Sequence, residues 1–322
     1  MKLSLLESKI LGVVSLKADA SIIEISKLVK ARAHSCRYAI DSLVSKGLLN
    51  QRVIINSCRI GYSIYALWFS LSPKYRKDSK ALFSYLENSK IIGYIGEQDG
   101  EYPFRVDLYC KTLQELSDFF TEVGAVFGNV FQTKTLAIVY SITDFSLKHL
   151  CPSEKELLAC RVGVEPELVS INEVDHRILQ ILSRVSNKTH AAIARELNIP
   201  LATLEYRIKN LIKKKVIIGY HCWSQVEEVN SVGLKVSLHR LKFSALTAEL
   251  VAQMQDFSRK NAYVFSLTHF LGDYDFELCL STRSIHDQKS FRAALEEEFG
   301  GKILEHLEVA MVSHRKISNY PF

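Results

Sequence analysis

Residues 201–215, LATLEYRIKNLIKKK, hold the densest set of side chains suited to recognising another molecule. Leu201, Leu204, Ile208 and Leu211 recur at spacings of three and four, which places them on one inward face of a helix. The other face carries Thr203, Glu205, Tyr206, Arg207, Lys209 and Asn210. In a DNA major groove arginine bonds guanine and asparagine bonds adenine, each through two hydrogen bonds, while lysine and threonine suit phosphate oxygens. Lys213, Lys214 and Lys215 follow at the helix end and are placed for the phosphate backbone. Residues 33–46 read in the same way. Ala33, Cys36, Ile40 and Leu43 turn inward, leaving His34, Ser35, Arg37, Tyr38, Asp41 and Ser42 outward. Either face is equally the solvated side of an amphipathic helix as far as residue types go.

No catalytic set accompanies these faces. The chain has no GxSxG, no P-loop and no HExxH. Its seven cysteines, Cys36, Cys58, Cys110, Cys151, Cys160, Cys222 and Cys279, form no CxxC and no zinc spacing, which suggests reduced thiols in a cytoplasmic protein. No metal site or cofactor is expected. The first twenty residues read as an amphipathic helix rather than a signal peptide, because Glu7 and Lys9 interrupt the apolar run while Leu3, Leu6, Ile10, Val13 and Val14 share a face. No stretch approaches the roughly 20 apolar residues of a membrane span.

The elements that position these side chains occur twice. GEYPFRV (100–106) corresponds to GDYDFEL (272–278), Gly61 to Gly233 and Phe127-Gly128 to Phe299-Gly300, all at an offset of 172. Upstream the offset is 168: Ile10-Leu11 with Ile178-Leu179, Ile25 with Ile193, Tyr38 with Tyr206, Ile40 with Ile208, Leu43 with Leu211. One four-residue length change between Leu49 and Gly61 reconciles the two, as a tandem duplication A–B–A′–B′ requires. Charge follows the same division. Of the net +6, residues 1–60 carry +6 and residues 173–219 carry +5, leaving −5 for the remainder. Segregated positive charge is the footprint of a nucleic-acid surface.

In A′, Asn172 with Asp175 is set to cap a helix whose inner face is Val174, Ile178, Ile181 and Leu182. Asn187 to Thr189 ends it, Thr189 caps a second helix, and the turn at Asn198-Ile199-Pro200 opens the third. Residues 216–223 follow as a strand, completing a winged helix-turn-helix layout. In B′, strands 234–243, 263–270, 276–280 and 303–312 with helices 244–259 and 284–299 give βαββαβ, the ferredoxin-like split motif. Segment B, from Tyr62 to Ile142, repeats that order. Ser153-x-x-Glu156 is a capping box that predicts a short linking helix between the copies.

Residues 173–220 resemble the DNA-binding domain of the Lrp/AsnC regulators along their whole length, and HFLGDYDFELCLSTR (269–283) resembles that family's sensing-domain signature. The first copy joins the resemblance mainly through the repeat. Where the family has Ser before the recognition helix this chain has Pro200, and where it has Gly after that helix the second copy has Lys215 and the first keeps Gly47. The mid-helix Arg is kept as Arg207 but is Ala39 in the first copy, and Asp275 becomes Pro103.

The resemblance implies an α+β chain of tandem winged helix-turn-helix and ferredoxin-like (RAM) domains: 1–57, 58–145, a linker helix 146–171, 172–228 and 229–322. It implies a sequence-specific regulator that binds double-stranded DNA, associates through its RAM domains and does not touch membranes. It further implies an effector, such as an amino acid, near Gly272, Asp273 and Asp275, where the Asp275 carboxylate could hold an ammonium. The Gly-Asp turn by itself is also an ordinary hairpin with solvated acids. No enzyme is expected. The alternatives are an enzyme like the siroheme decarboxylases of haem biosynthesis, which resemble the same family, and a sensing or assembly protein without DNA binding.

Overall fold

A computed structural model describes all residues except 1, 152–158, 166, 185–187, 318–319 and 321–322. Helices α1 (Leu5–Val14), α2 (Ile22–Val29) and α3 (Ala33–Ser45) lead into strand β1 (Asn50–Ile55). Then follow β2 (Ser63–Leu71), α4 (Pro73–Lys77), α5 (Lys80–Asn88), β3 (Ile92–Gln98), β4 (Phe104–Cys110), α6 (Leu113–Phe127) and β5 (Phe131–Phe145). After β6 (Ala159–Gly163) the order recurs. Helices α7 (Glu173–Arg184), α8 (His190–Leu197) and α9 (Leu201–Lys213) lead to β7 (Ile217–Trp223) and a short α10 (Val226–Ser231). The chain ends in β8 (Lys235–Phe243), α11 (Ala248–Lys260), β9 (Val264–Leu271), β10 (Phe276–Thr282), α12 (Ile285–Phe299) and β11 (Ile303–Ile317). The fold is α+β, with winged-helix and βαββαβ elements each occurring twice. No helix among the described residues is long and apolar enough to cross a membrane.

Local chemistry explains the helix ends. Ser4 with Glu7 and Ser21 with Glu24 form reciprocal capping boxes, and Asn172 with Asp175 does the same at α7. Thr189 accepts the Ala192 N–H at the start of α8. Pro200 stands at the N-cap of α9, one residue before the helix begins. Within the helices, Leu204, Ile208 and Leu211 are buried as their spacing requires, as are Cys36 and Leu43. Leu201 and Ala33 instead lie exposed, each as the first residue of its helix. The Asn187 break and the Ser153–Glu156 capping box lie outside the described residues.

The βαββαβ units do not remain separate sheets. Copy 1 runs β3-β4-β2-β5 and copy 2 runs β9-β10-β8-β11, all antiparallel. The β3–β11 and β5–β9 ladders join both edges and close an eight-stranded barrel. Alternate residues of each strand meet different surroundings. Val106, Leu108 and Cys110 of β4 pack outward beneath α5 and α6, and Leu278 and Leu280 of β10 pack beneath α11 and α12. Strand β6 lies within the stretch expected to be a linker helix. It pairs with Ser141–Phe145 of β5, beyond the end of the β2 ladder, and satisfies backbone groups that β2 is too short to reach.

The winged-helix units are also joined. Strand β1 pairs with β7, and Val53 and Ile55 of β1 sit in the core of the second unit, with α7, α8 and α9. Cys222 of β7 and Val229, Val232 and Leu234 beyond it pack on the first unit's core. Each wing strand thus completes its neighbour's core. Helices α3 and α9 are both followed by left-handed backbone, at Gly47 (φ 72°) and at Lys215 (φ 57°). Glycine takes that conformation without steric cost and lysine does not. Lys215→Gly is therefore expected to stabilise the fold by about 1 kcal/mol, read as a higher urea midpoint at unchanged slope.

Candidate functional site

Two regions bring functional side chains together: the outward faces of α3 and α9, and the interior of the barrel. On α9, Tyr206 is 71% exposed, and Glu205, Lys209, Lys213 and Lys215 are exposed beside it. Thr203, Asn210 and Lys214 are half-buried, and Lys214 Nζ donates to the Ser170 carbonyl (3.2 Å). On α3 the equivalent tyrosine, Tyr38, is 75% exposed, with His34 and Arg37 exposed and Ser35 half-buried. The two exposed tyrosines are 168 residues apart.

Arg207 is engaged inside its own domain. It donates to Asp175 (3.0 Å) and to the Asn172 side chain (3.2 Å), fastening α9 to the start of α7. Copy 1 has Ala39 there, and other residues take over the work. Lys46 and Ser42 both donate to Glu7 at the start of α1. Burial raises the Glu7 pKa, but Lys46, Ser4 and Ser42 outweigh it and hold the carboxyl down at about 2.

The Gly272-Asp273-Tyr274-Asp275 turn uses its polar groups internally. A Cβ at Gly272 would lie 2.5 Å from that of Ala137, so the strand crossing needs glycine. Thr135 donates to Asp273, Asp275 accepts the Phe243 N–H (2.7 Å), and the Tyr274 hydroxyl donates to Glu305 (2.8 Å). His269 is buried nearby between Phe276 and Tyr140.

The barrel interior holds a charge network that the sequence reading missed. Glu277 accepts from Arg105 and from Arg240 (2.8 Å), and Arg105 also grips Asp107 (2.8 Å). Arg240 donates to Gln98 (2.5 Å). Both guanidiniums lie over the Trp68 ring, at 5.4 and 4.8 Å, and Trp68 meets Phe270 edge-on. Three pairs here, Arg105 with Glu277, Trp68 with Arg240 and Gln98 with Phe270, are each 172 residues apart. In β4 Arg105 stands opposite Trp68, and in β10 Glu277 stands opposite Arg240, so the registers match. A residue that touches its own equivalent lies near the pseudo-two-fold axis. Burial would raise Glu277, but the Arg105 and Arg240 guanidiniums hold it below the usual carboxylate range, while Asp107, with one guanidinium, is raised by burial.

Between this network and the wing strands lies a cavity of about 240 Å³. Ile54, Ile55, His221 and Cys222 roof it, and Tyr94, Asp144, Ser266, Thr268 and His314 line its wall. Burial holds His221 and His314 near 4, so both rings are neutral at pH 7. Burial pushes Asp144 up to about 6 against the hydrogen bond from Ser266. Among the described residues no group of three or more His, Cys, Asp or Glu is placed to hold a metal ion.

Removing one partner of a buried pair leaves an uncompensated charge and costs about 3–5 kcal/mol. Arg105→Met should lose that much in urea unfolding, because Asp107 keeps no cation while Glu277 keeps Arg240. Adding Asp107→Leu should recover at least half. Equal stability of single and double variants would show that the charge, as opposed to packing, is unimportant.

Comparisons with known proteins fit this geometry. Residues 171–218 match the family model for winged helix-turn-helix DNA-binding domains. No curated protein matches the sequence. The crystal structure of the siroheme decarboxylase NirDL is 10% identical, covers 98% of this chain and 94% of its own, and superposes with a TM-score of 0.58. NirDL in complex with an iron-uroporphyrin III analogue matches equally, at 9% identity, 98% and 94% coverage and TM-score 0.58. An AsnC family transcriptional regulator from Agrobacterium tumefaciens is 17% identical over 46% of this chain and 94% of its own, with a TM-score of 0.37. The expectation that the chain is no enzyme is overturned, since NirDL, a solved structure that shares the whole two-copy fold, is an enzyme. The chain thus contains a winged helix-turn-helix DNA-binding segment within an architecture shared with NirDL.

Proposed function

We propose that the chain is a transcription regulator that binds double-stranded DNA through α9 and α3. The observation that carries this reading is the exposed face of α9 inside the matched segment, where Tyr206, Lys209, Lys213 and Lys215 stand together in solvent. Aromatic and basic groups displayed on a rigid helix suit a groove and its flanking phosphates. Arg207 acts as a positioning residue that holds α9 through Asp175, and Thr203, Asn210 and Lys214 sit at the edge of the face. The α3 face, with His34, Ser35, Arg37 and Tyr38, plays the lesser part, since its helix carries one arginine against Asp41 whereas α9 has a net +2. We take the chain to descend from duplication of a one-copy regulator. The left-handed residues Gly47 and Lys215, Lys30 and Asn198, and Gly61 and Gly233 stand at the repeat offsets and support that origin.

A second reading is catalysis on a tetrapyrrole carboxylate, favoured by the likeness of the whole chain to a siroheme decarboxylase. The 240 Å³ cavity is smaller than the ~300–1,000 Å³ of drug-sized ligand sites, so a macrocycle would enter only if the wing strands moved. Titrating siroheme against the full chain tests this. A saturable change in its absorbance with release of carbon dioxide would put catalysis first, and an unchanged spectrum would remove it.

For the DNA reading, affinity for genomic fragments should fall with salt at a slope of about −0.9 per phosphate contacted. Changing Lys213, Lys214 and Lys215 to Ala should flatten that slope and leave sequence preference, while Tyr206→Ala should weaken binding with the fold intact by circular dichroism. Absence of binding to every fragment at low salt would end the regulator reading.

A further inference from the structure

The cavity beneath the wing strands has one uncompensated charge on its wall. Three carboxylates line it: Asp107, Glu277 and Asp144. Arg105 and Arg240 neutralise the first two. Asp144, at the end of β5, receives one hydrogen bond, from Ser266 Oγ at 2.7 Å, and no cation among the described residues pairs with it. A carboxylate withdrawn from water without a counter-ion is costly. Asp144 is half-buried and lines the cavity.

The rest of the lining defines what would supply the positive charge. Among the described residues the only lysine or arginine there is Arg105, which is shared between two carboxylates, so none of them is left to hold a ligand carboxylate. Leu11, Ile142, Phe145, Leu147, Val162 and Phe265 make most of the remaining wall apolar. An apolar cavity of ~150 Å³ takes a benzene, so 240 Å³ holds a molecule of about six to ten heavy atoms.

We infer that this cavity is a binding site for a compact alkyl amine, with the ammonium on Asp144 and Ser266 and the hydrocarbon against the apolar wall. This differs from an amino-acid effector, whose carboxylate would meet no cation here. It also lies away from the Gly272–Asp275 turn, whose acids are already engaged. The site touches both winged-helix units, through Leu11, Ile54 and Ile55 on one side and His221 and Cys222 on the other. An occupant therefore fixes the wings relative to the barrel, and with them the placement of α3 and α9. Amine binding stands by itself, while its effect on DNA rests on the regulator reading.

The test uses the full chain at pH 7.5 with isopentylamine and leucine as probes, followed by calorimetry and thermal unfolding. Isopentylamine should bind saturably at one site and raise Tm, and leucine should do neither. Asp144→Asn should fold with a Tm no lower than the parent and bind the amine at least tenfold more weakly. Ser266→Ala, which keeps the carboxylate, should retain most of the affinity. Equal binding of leucine, unchanged amine affinity in Asp144→Asn, or no amine binding by the parent chain would each overturn the inference. DNA titrations with and without amine separate the two claims: amine binding without DNA binding removes only the regulator reading, and DNA binding without amine binding removes only this site.

Discussion

Glu277 sits between Arg105 and Arg240 at the place where the two βαββαβ units face one another, and the barrel depends on that arrangement. All three side chains are withdrawn from water, with Glu277 and Arg240 each only 1% exposed. Their charges are tolerable because they compensate one another. Two copies of the first unit would bring Arg105 against Arg105 across the same axis, and two copies of the second would bring Glu277 against Glu277. Like charges buried together cost far more than the hydrogen bonds around them return. The Arg105–Glu277 contact across the axis is therefore made only between one unit of each kind. Trp68 and Arg240 add a second pair of the same type, a ring on one side and a cation on the other. A single chain carrying both units provides the match at every encounter, since the partner is tethered.

Closure of the barrel sets the positions of everything above it. With β5 bonded to β9 and β3 to β11, no open edge remains between the units. The wing strands β1 and β7 then cross over one end, each completing the core of the opposite winged-helix unit. Side chains from the strands and from the wings do not fill the space between them, and the cavity remains. Its mixed lining, a few polar groups in a mostly apolar wall, follows from that meeting of two surfaces with different neighbours.

The two copies solve the same local problem with different residues. In each winged-helix unit the third helix is fastened to the first by a buried acid. Copy 2 uses Asp175 with Arg207, and copy 1 uses Glu7 with Lys46 and Ser42, further along the helix. The fastening leaves Tyr38 and Tyr206 on the outer faces at equivalent places. The surrounding charge differs, because Lys209 and Lys213 of the second copy stand where the first has Asp41 and Ser45. Two similar frames thus present unlike surfaces.

Local periodicity located the helices of the winged-helix units, though Leu201 and Ala33, expected inward, are exposed. Leu204, Ile208 and Leu211 are buried because a 3.6-residue repeat leaves them no other face, and Asn172 and Thr189 cap because their side chains reach the next turn. The βαββαβ order was legible for the same reason. The strands were less complete in outline: β11 runs to Ile317, past the expected end at Val312, because β3 is there to pair with it. Arg105 and Glu277 had no such signature. In sequence they are polar residues alternating with apolar ones, the pattern of a strand with one wet face. Only closure of the barrel turns that face inward and brings together groups 172 residues apart. The same holds for β6, for the engagement of Arg207 by Asp175 and for Asp144 beside the cavity. Each is fixed by a partner distant in sequence, and pairings of that kind are decided by the free energy of the whole assembly, which no window of residues contains.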